Sequence, residues 1–379
     1  MAFSHSGESG PWRVGVLFSR TGCTAVIERT QLYATLLAIE EINSAGGINQ
    51  RQLVPIIYDP RSDPALFARL AKRLIIEDRV RNIFGCYTSS SRKAVVPVVE
   101  RLNALLWYPT PYEGFEFSPN VIYTGPAPNQ NSVPLCRFLM RDFGRRFFLV
   151  GSDYVYPRES NRVMRELVLK NGGTVVGETY LPLGALHREF VPIVRDIKRL
   201  GADVIFSTVV GDSTIALYQT YADAGLDPKV TPIASLTTSE AEVRAMGCDV
   251  GEGHITAAPY FESLNSPTNA SFVEKYRRRF GDDEPPNMCA EAAYFQVLVF
   301  ARAVEQINSA DPDLLRLVVA GIELEAPQGR VAISHEYNHA SVWTRIGRLN
   351  REGRFEIVEG SAGPVDADPY LIGCGRALT

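Results

Sequence analysis

The chain has 379 residues, a formal net charge of −4, 45% hydrophobic residues and 22% charged residues. That is the profile of a globular protein long enough for two domains of ordinary size. No basic stripe argues for direct nucleic-acid binding, and no apolar run approaches the roughly 20 residues that span a bilayer.

The N-terminal "MAFSHSGESGPW" carries neither a basic segment nor an apolar one before the strand-like "RVGVLF" (13–18). A chain without a leader is expected in the cytoplasm, or in the periplasm if a leader has been removed. A helical pattern follows at 26–47, with Leu32, Leu36, Ile39 and Ile42 on one face. "QLVPIIYD" (52–59) predicts a strand. "DPALFARLAKRLIIED" (63–78) predicts a helix opened by an Asp63 cap and a proline. "NIFG" predicts a strand, "AVVPVVERLNA" a helix, and "ALLWYPT" and "VIYTG" two short strands. The Pro/Asn-rich "TGPAPNQNSVP" (124–134) reads as a crossing between two lobes.

The second half repeats the rhythm. Strands are predicted at 146–153, 174–183, 203–211 and 231–238. Helices are predicted at 159–173, 190–202 and 212–226. Such alternation implies an α/β fold of two doubly wound Rossmann-like lobes with parallel sheets. The segment 329–360 reads instead as strands and turns, an antiparallel addition to one lobe.

Ligands of doubly wound sheets sit beyond the carboxyl ends of the strands. Five such ends are rich in hydroxyls: "GCYTSSS", "WYPTPYEG", "SDYVYPRES", "STVVGDST" and "SLTTSEAE". Tyr87, Tyr108, Tyr112, Tyr154 and Tyr156 fall in three of them. Tyrosine offers an apolar wall with a polar tip, which suits a small neutral polar solute. Hydroxyls at strand-to-helix turns also serve as helix caps, so binding and capping readings both stand.

A catalytic serine among Ser89, Ser90 and Ser91 finds no support. There is no GxSxG elbow, and none of His5, His187, His254, His335 and His339 lies in a defensible triad order. Neither phosphate-binding glycine motif occurs. Arg92 and Lys93 read as a solvated charge pair at a helix start, and Pro97 implies a later start or a kink. The six cysteines, Cys23, Cys86, Cys136, Cys248, Cys289 and Cys374, show no ligand spacing and read as reduced thiols.

Several stretches carry a resemblance. They are "GCYTSSSRKAVVPVVER", "YPTPYEGFEFSPNVIYTGPAPNQNS", "GSDYVYPRESNRVMR", "STVVG", "IASLTTSEAEV", "EAAYFQ" and "APQG". In them the chain resembles the amide-binding, amidase-regulating members of the type I periplasmic-binding-protein superfamily, from about Val14 to about Tyr370. The urea-binding protein of ABC transporters shares "SRKAV", "YEG" and "APNQ", but has tryptophan at Tyr87 and another dipeptide at Thr110-Pro111.

The resemblance implies lobes of 11–125 plus 258–330 and of 126–257 plus 331–379, joined by three crossings. It implies no catalysis and no cofactor or metal. Tyr87, Ser89, Tyr108, Thr110 and Pro111 would contact the ligand from one lobe. Tyr154, Tyr156, Val210 and Thr237 would line the other. The Ser89 hydroxyl and N–H would receive a ligand carbonyl, and carbonyls near Thr110 would accept its amide N–H groups. The ligand implied is a small neutral amide, or urea. The partner would be an RNA-binding antiterminator of an amidase operon or, alternatively, the permease of an ABC transporter, and a homo-oligomer is left open. Ser90-Ser91 and "LPLGALHREF" (181–190) depart from the family pattern.

Overall fold

The computed structural model describes residues 10–372. The first lobe opens with β1 (Trp12–Leu17), α1 (Ala25–Ser44), β2 (Leu53–Tyr58), α2 (Pro64–Ile76), β3 (Asn82–Gly85), α3 (Ser89–Arg101), β4 (Leu105–Tyr108) and β5 (Val121–Tyr123). Its strands are all parallel, in the order β2-β1-β3-β4-β5. Asp63 caps α2 as its sequence predicts, accepting from the N–H groups of Ala65 and Leu66. Val14 and Val16 of β1 are fully buried. Each such side chain contributes about 1.5–3 kcal/mol over an exposed one.

A 3₁₀ turn, Pro128–Gln130, leads to the second lobe. Its elements are α4 (Ser132–Asp142), β6 (Arg146–Ser152), α5 (Val155–Lys170), β7 (Thr174–Leu181), α6 (His187–Leu200), β8 (Val204–Thr208), α7 (Asp212–Asp223), β9 (Ile233–Ser235), α8 (Glu240–Met246), α9 (Cys248–Gly251) and β10 (Ile255–Ala258). The chain then returns to the first lobe as α10 (Pro267–Phe280), α11 (Met288–Ile307) and α12 (Pro312–Val319). Helix α11 lies against α1 and is buried on nearly every side.

The last strands are β11 (Glu323–Ala326), β12 (Gly329–Ile333), β13 (Ala340–Ser341), β14 (Arg345–Leu349) and β15 (Phe355–Gly360). The expectation that they join one lobe is corrected: they divide between both. Strands β14 and β15 extend the second sheet antiparallel, giving the order β15-β14-β10-β9-β8-β6-β7. Strands β11 to β13 form a small separate sheet. Its Leu324, Val331, Ile333 and Ala340 share a core with α1 and α11, and His339 bridges to Tyr123 of β5. The boundary expected at 330/331 falls inside β12, and the chain passes to the second lobe between Val342 and Arg345. The tail runs back along this crossing, where Val365 bridges to Val342.

Helix α3 begins at Ser89, five residues before the predicted run. Thr88 is its cap, and its side chain accepts from the Ser91 N–H at 3.1 Å. Pro97 stands inside the helix on its exposed side. The carbonyl one turn earlier, which proline cannot satisfy, therefore lies where water can pair with it. The five described cysteines are free thiols. Cys374 and His5 lie outside the described residues.

His254 is fully buried between the rings of Tyr218 and Tyr221, and its Nδ1 accepts from the Ile233 N–H. Burial pulls it down to about 3 from an ordinary 6.5. Below pH 6.5 the unfolded chain takes up a proton that the folded chain refuses. Stability from this group is therefore complete above pH 6.5 and is lost as pH falls toward 3, by up to several kcal/mol. Asparagine at this position can still accept the Ile233 N–H. Melting curves from pH 7 to pH 4 should fall more steeply for the natural chain than for His254→Asn.

Candidate functional site

The first-lobe wall forms where β3 and β4 end. Cys86 takes a left-handed conformation, φ 69°, and turns the chain into Tyr87 and α3. Tyr87 and Ser89 are buried, and the Tyr108 hydroxyl donates to the Tyr87 carbonyl at 2.9 Å. Thr110 Oγ1 accepts from Gln31 Nε2 at 3.1 Å. The Thr110-Pro111 backbone lies on Gly125, where an added Cβ would come within 2.2 Å of the Thr110 carbonyl. Only glycine lets the first crossing run this close beneath the loop.

Arg92 corrects a sequence expectation. It is fully buried, not solvated. Its Nη2 donates to Glu113 Oε1 at 2.9 Å, its Nε to Glu116 Oε1 at 2.7 Å, and its Nη1 to Ser89 Oγ at 3.0 Å. Ser89 Oγ in turn donates to Glu113 Oε2 at 2.5 Å. Tyr108 and Tyr112 present their rings to the guanidinium at 4.9 and 5.0 Å. Burial would raise the Glu116 carboxyl, but Arg92 and Lys93 overrule it and hold Glu116 at about 2. Burial would likewise neutralise Arg92, yet the neighbouring carboxylates keep it charged.

This network alters the part Ser89 can play. Its proton is engaged by Glu113, so the hydroxyl oxygen can only accept. The N–H groups of Ser89 and Ser90, as the first residues of α3, have no intrahelical acceptor and are the donors this turn offers.

The second-lobe wall comes from the ends of β6, β8 and β9. Tyr154 caps α5 half-buried, and Tyr156 lies behind it with ring centroids 6.3 Å apart. The Val210 N–H donates to Ser152 Oγ at 3.2 Å. The Thr237 N–H donates to Ser235 Oγ at 3.0 Å, and Thr237 Oγ1 to the Val209 carbonyl at 3.3 Å. Burial raises the phenols of Tyr87, Tyr154 and Tyr156, so all three stay neutral. All nine residues expected to bind thus lie at strand ends on two facing walls.

The walls touch. Gly211 meets the Cys23 carbonyl so closely that a Cβ would stand 2.2 Å from it, and the Asp212 N–H donates to the same oxygen at 3.3 Å. Arg162 of α5 covers the Phe115 ring at 4.9 Å. Buried polar atoms without a partner include Gln31 Oε1 beside Thr110, Tyr156 OH, Ser213 Oγ and Glu242 Oε1. Sequence reading missed Gln31, Glu113, Glu116 and Glu242. The three glutamates gave a signal only by position, in "YEGFE" and "SLTTSEAEV" beside hydroxyl-rich strand ends, and Gln31, inside α1, gave none. Three of the histidines pair away from the serines: His339 Nε2 with Tyr112 OH, His187 with Asp223, and His254 with the Ile233 N–H. No serine–histidine pair forms among the described residues.

Two α/β lobes clamping a strand-end cleft define a bilobal solute-binding architecture. The chain belongs to the periplasmic binding protein domain family, whose model matches residues 12–374. It is 27% identical over 295 residues to the Leu/Ile/Val-binding protein homolog 6 of Brucella suis biovar 1, covering 76% of this chain and 75% of the relative. It is 23% identical over 323 residues to the leucine-, isoleucine-, valine-, threonine-, and alanine-binding protein of Pseudomonas aeruginosa, covering 83% and 84%. Among solved structures, the solute binding protein of an ABC transporter from R. palustris, in complex with 4-hydroxybenzoate, superposes with a TM-score of 0.85. The identity is 22%, and the match covers 96% of this chain and 99% of that one. The LivJ substrate binding protein of Streptococcus pneumoniae, in complex with isoleucine, gives 0.80 at 17% identity, covering 93% and 99%. These are binding proteins of the type I fold, not enzymes.

Because Ser89 bridges Arg92 and Glu113, Ser89→Ala should cost stability as well as affinity. The expected loss is about 1–3 kcal/mol in urea denaturation. Arg92→Ala deprives the buried Glu113 of its guanidinium, leaves Lys93 as the only cation on the partly exposed Glu116, and should cost about 3–5 kcal/mol.

Proposed function

We propose that this protein is the solute receptor of an ABC transporter and closes its lobes on a small neutral amide or urea. The neutrality of the first wall carries this reading. Arg92 and Lys93 are matched by Glu113 and Glu116, so that cluster brings no spare positive charge to a ligand. The unpaired Gln31 Oε1 and Glu242 Oε1 are acceptors, and the Tyr156 hydroxyl can accept as well as donate. Such a wall favours a solute with N–H donors and one carbonyl. Isoleucine and 4-hydroxybenzoate, bound by the structural neighbours, each bring a carboxylate, whose burial without a cation is costly. Tyr87, Ser89, Tyr108, Thr110, Pro111, Tyr154, Tyr156, Val210 and Thr237 would enclose the ligand. Neutral tyrosine tips suit an uncharged solute. The kinship with ABC-transporter receptors favours a permease partner and a periplasmic location over the cytoplasmic one expected from the N-terminus.

A second reading is a cytoplasmic amide sensor that restrains an RNA-binding antiterminator of an amidase operon. It is favoured by the resemblance carried in "YPTPYEG" and "GSDYVYPRES". Both readings share the ligand step, since a ligand moves the open–closed equilibrium only by its differential affinity. They part at the partner: a permease or antiterminator that binds one ligand state and not the other.

Calorimetric titration should show binding of acetamide or urea, and none of isoleucine or 4-hydroxybenzoate. Binding of isoleucine without either amide would reject the proposal. Small-angle scattering should show compaction with the ligand, and Tyr156→Ala should reduce that compaction more than it changes the free protein.

A further inference from the structure

Helix α8 belongs to the second lobe yet reaches into the first. Its Ala241 and Val243 share an apolar cluster with Tyr87 and Cys289, and the helix packs against α1. Glu242 lies between these two residues and is fully buried. One carboxylate oxygen is committed: Oε2 accepts from the Ser239 N–H at 2.9 Å and from Ser239 Oγ at 2.6 Å, closing a capping box. The other oxygen, Oε1, has no partner. A cap needs only one oxygen, and the second bears the whole cost of desolvation.

The surroundings of α8 come from both lobes. Tyr87 and Cys289 of the first pack in one cluster with the residues on either side of Glu242, and Tyr218 of α7 and Glu240 of α8 belong to the second. Burial and then the Glu242 charge raise both Tyr87 and Cys289, in keeping with that packing. No cation is among these neighbours. An N–H donor between Tyr87 and Glu242 would satisfy Oε1 and join the two lobes through the ligand.

We infer that Glu242 is a specificity-determining residue whose free oxygen accepts an N–H of the bound solute, so that closure requires a ligand with at least one N–H donor. The inference rests on the amide reading and sharpens it. Ser89 and Ser90 N–H groups would take the carbonyl from the first lobe, and Glu242 the N–H from the second. A ketone of the same shape would leave Oε1 unpaired and gain little from closure.

The test is calorimetry on the full chain with acetamide, urea, acetone, isoleucine and 4-hydroxybenzoate, using Glu242→Gln and Ser239→Ala. The glutamine keeps the cap through its amide oxygen and replaces Oε1 with a donor. Acetamide or urea should bind, with acetone weaker by tenfold or more. Glu242→Gln should weaken the amide by about tenfold to a hundredfold at little cost in melting temperature. Ser239→Ala should lower the melting temperature and leave affinity nearly unchanged, which separates the cap from the ligand role. Acetone binding as tightly as acetamide, or unaltered amide binding by Glu242→Gln, overturns the inference and leaves the amide reading standing. If only isoleucine binds, the amide reading fails. A tenfold loss on Glu242→Gln then still upholds Glu242 as the N–H acceptor, and an unchanged affinity overturns both. Binding of 4-hydroxybenzoate alone, or of none of the five, also overturns both.

Discussion

The cleft depends on a buried guanidinium. Withdrawing Arg92 from water costs several kcal/mol, which only close partners can offset. It has two carboxylates, a hydroxyl and two aromatic faces. All but Ser89 and the Tyr108 ring come from the loop 112–117, which has no regular structure of its own. The loop is fixed from behind. Tyr112 stacks on Tyr123 at 5.0 Å, Tyr123 on His339 at 4.2 Å, and the Phe115 N–H donates to the Pro369 carbonyl at 2.9 Å. The tail thus clamps the loop, the loop holds Arg92, and Arg92 orients Ser89. A strand-end loop that would otherwise move becomes a rigid wall.

The same network decides what the wall can recognise. With its charge matched and its serine proton spent, it presents backbone N–H groups and neutral phenols. Burial lifts the carboxyls of Glu28 and Glu242 to about 7 and that of Glu240 to about 8, so these groups carry less charge than exposed carboxylates. Discrimination then depends on whether each buried donor and acceptor finds its partner. An unpaired polar group in a closed site costs about 1–3 kcal/mol, enough to reject a solute of the right shape and wrong pattern.

The alternation of strands and helices was legible because local signals suffice for it. Apolar runs such as "RVGVLF" and caps such as Asp63 speak within a few residues. Strand ends were legible for the same reason, whereas the nine residues expected to line the walls were named from the family resemblance. What stayed hidden was long-range. Arg92 meets carboxylates 21 and 24 residues away on an irregular loop, so nothing near it distinguishes it from a surface charge. Helix α3 was started late because its cap and first turn are the hydroxyls 88–91, which read equally well as loop. Helix α11 is apolar on nearly all sides and gives no amphipathic face to place it. The final strands divide because β14 pairs with β10 of the second sheet while β11 to β13 pair with one another over the first-lobe core, a choice of partner that pattern alone cannot rank.

The lobes are held together by unequal means. At the crossings the contacts are buried and many. Gln130 Nε2 donates to the carbonyls of Ala340 and Val365 at 3.0 and 2.7 Å, and Thr344 Oγ1 donates to that of Gln130 at 2.9 Å. Arg345 donates to the carbonyls of Pro259 and Gln328, and Gln328 Nε2 donates to Glu291. Every crossing is therefore tied to another, and a stable pivot results. Across the cleft the ties include one long backbone hydrogen bond at Asp212, one cation–ring contact at Phe115 and the apolar packing of α8 on α1. A partly exposed cation–ring pair contributes only about 0.5–1 kcal/mol. The polar ties at the crossings are thus shorter and more numerous than the polar ties across the mouth. Any bilobal binding protein gains from that asymmetry, because lobes that adhered strongly to each other would close with or without a solute.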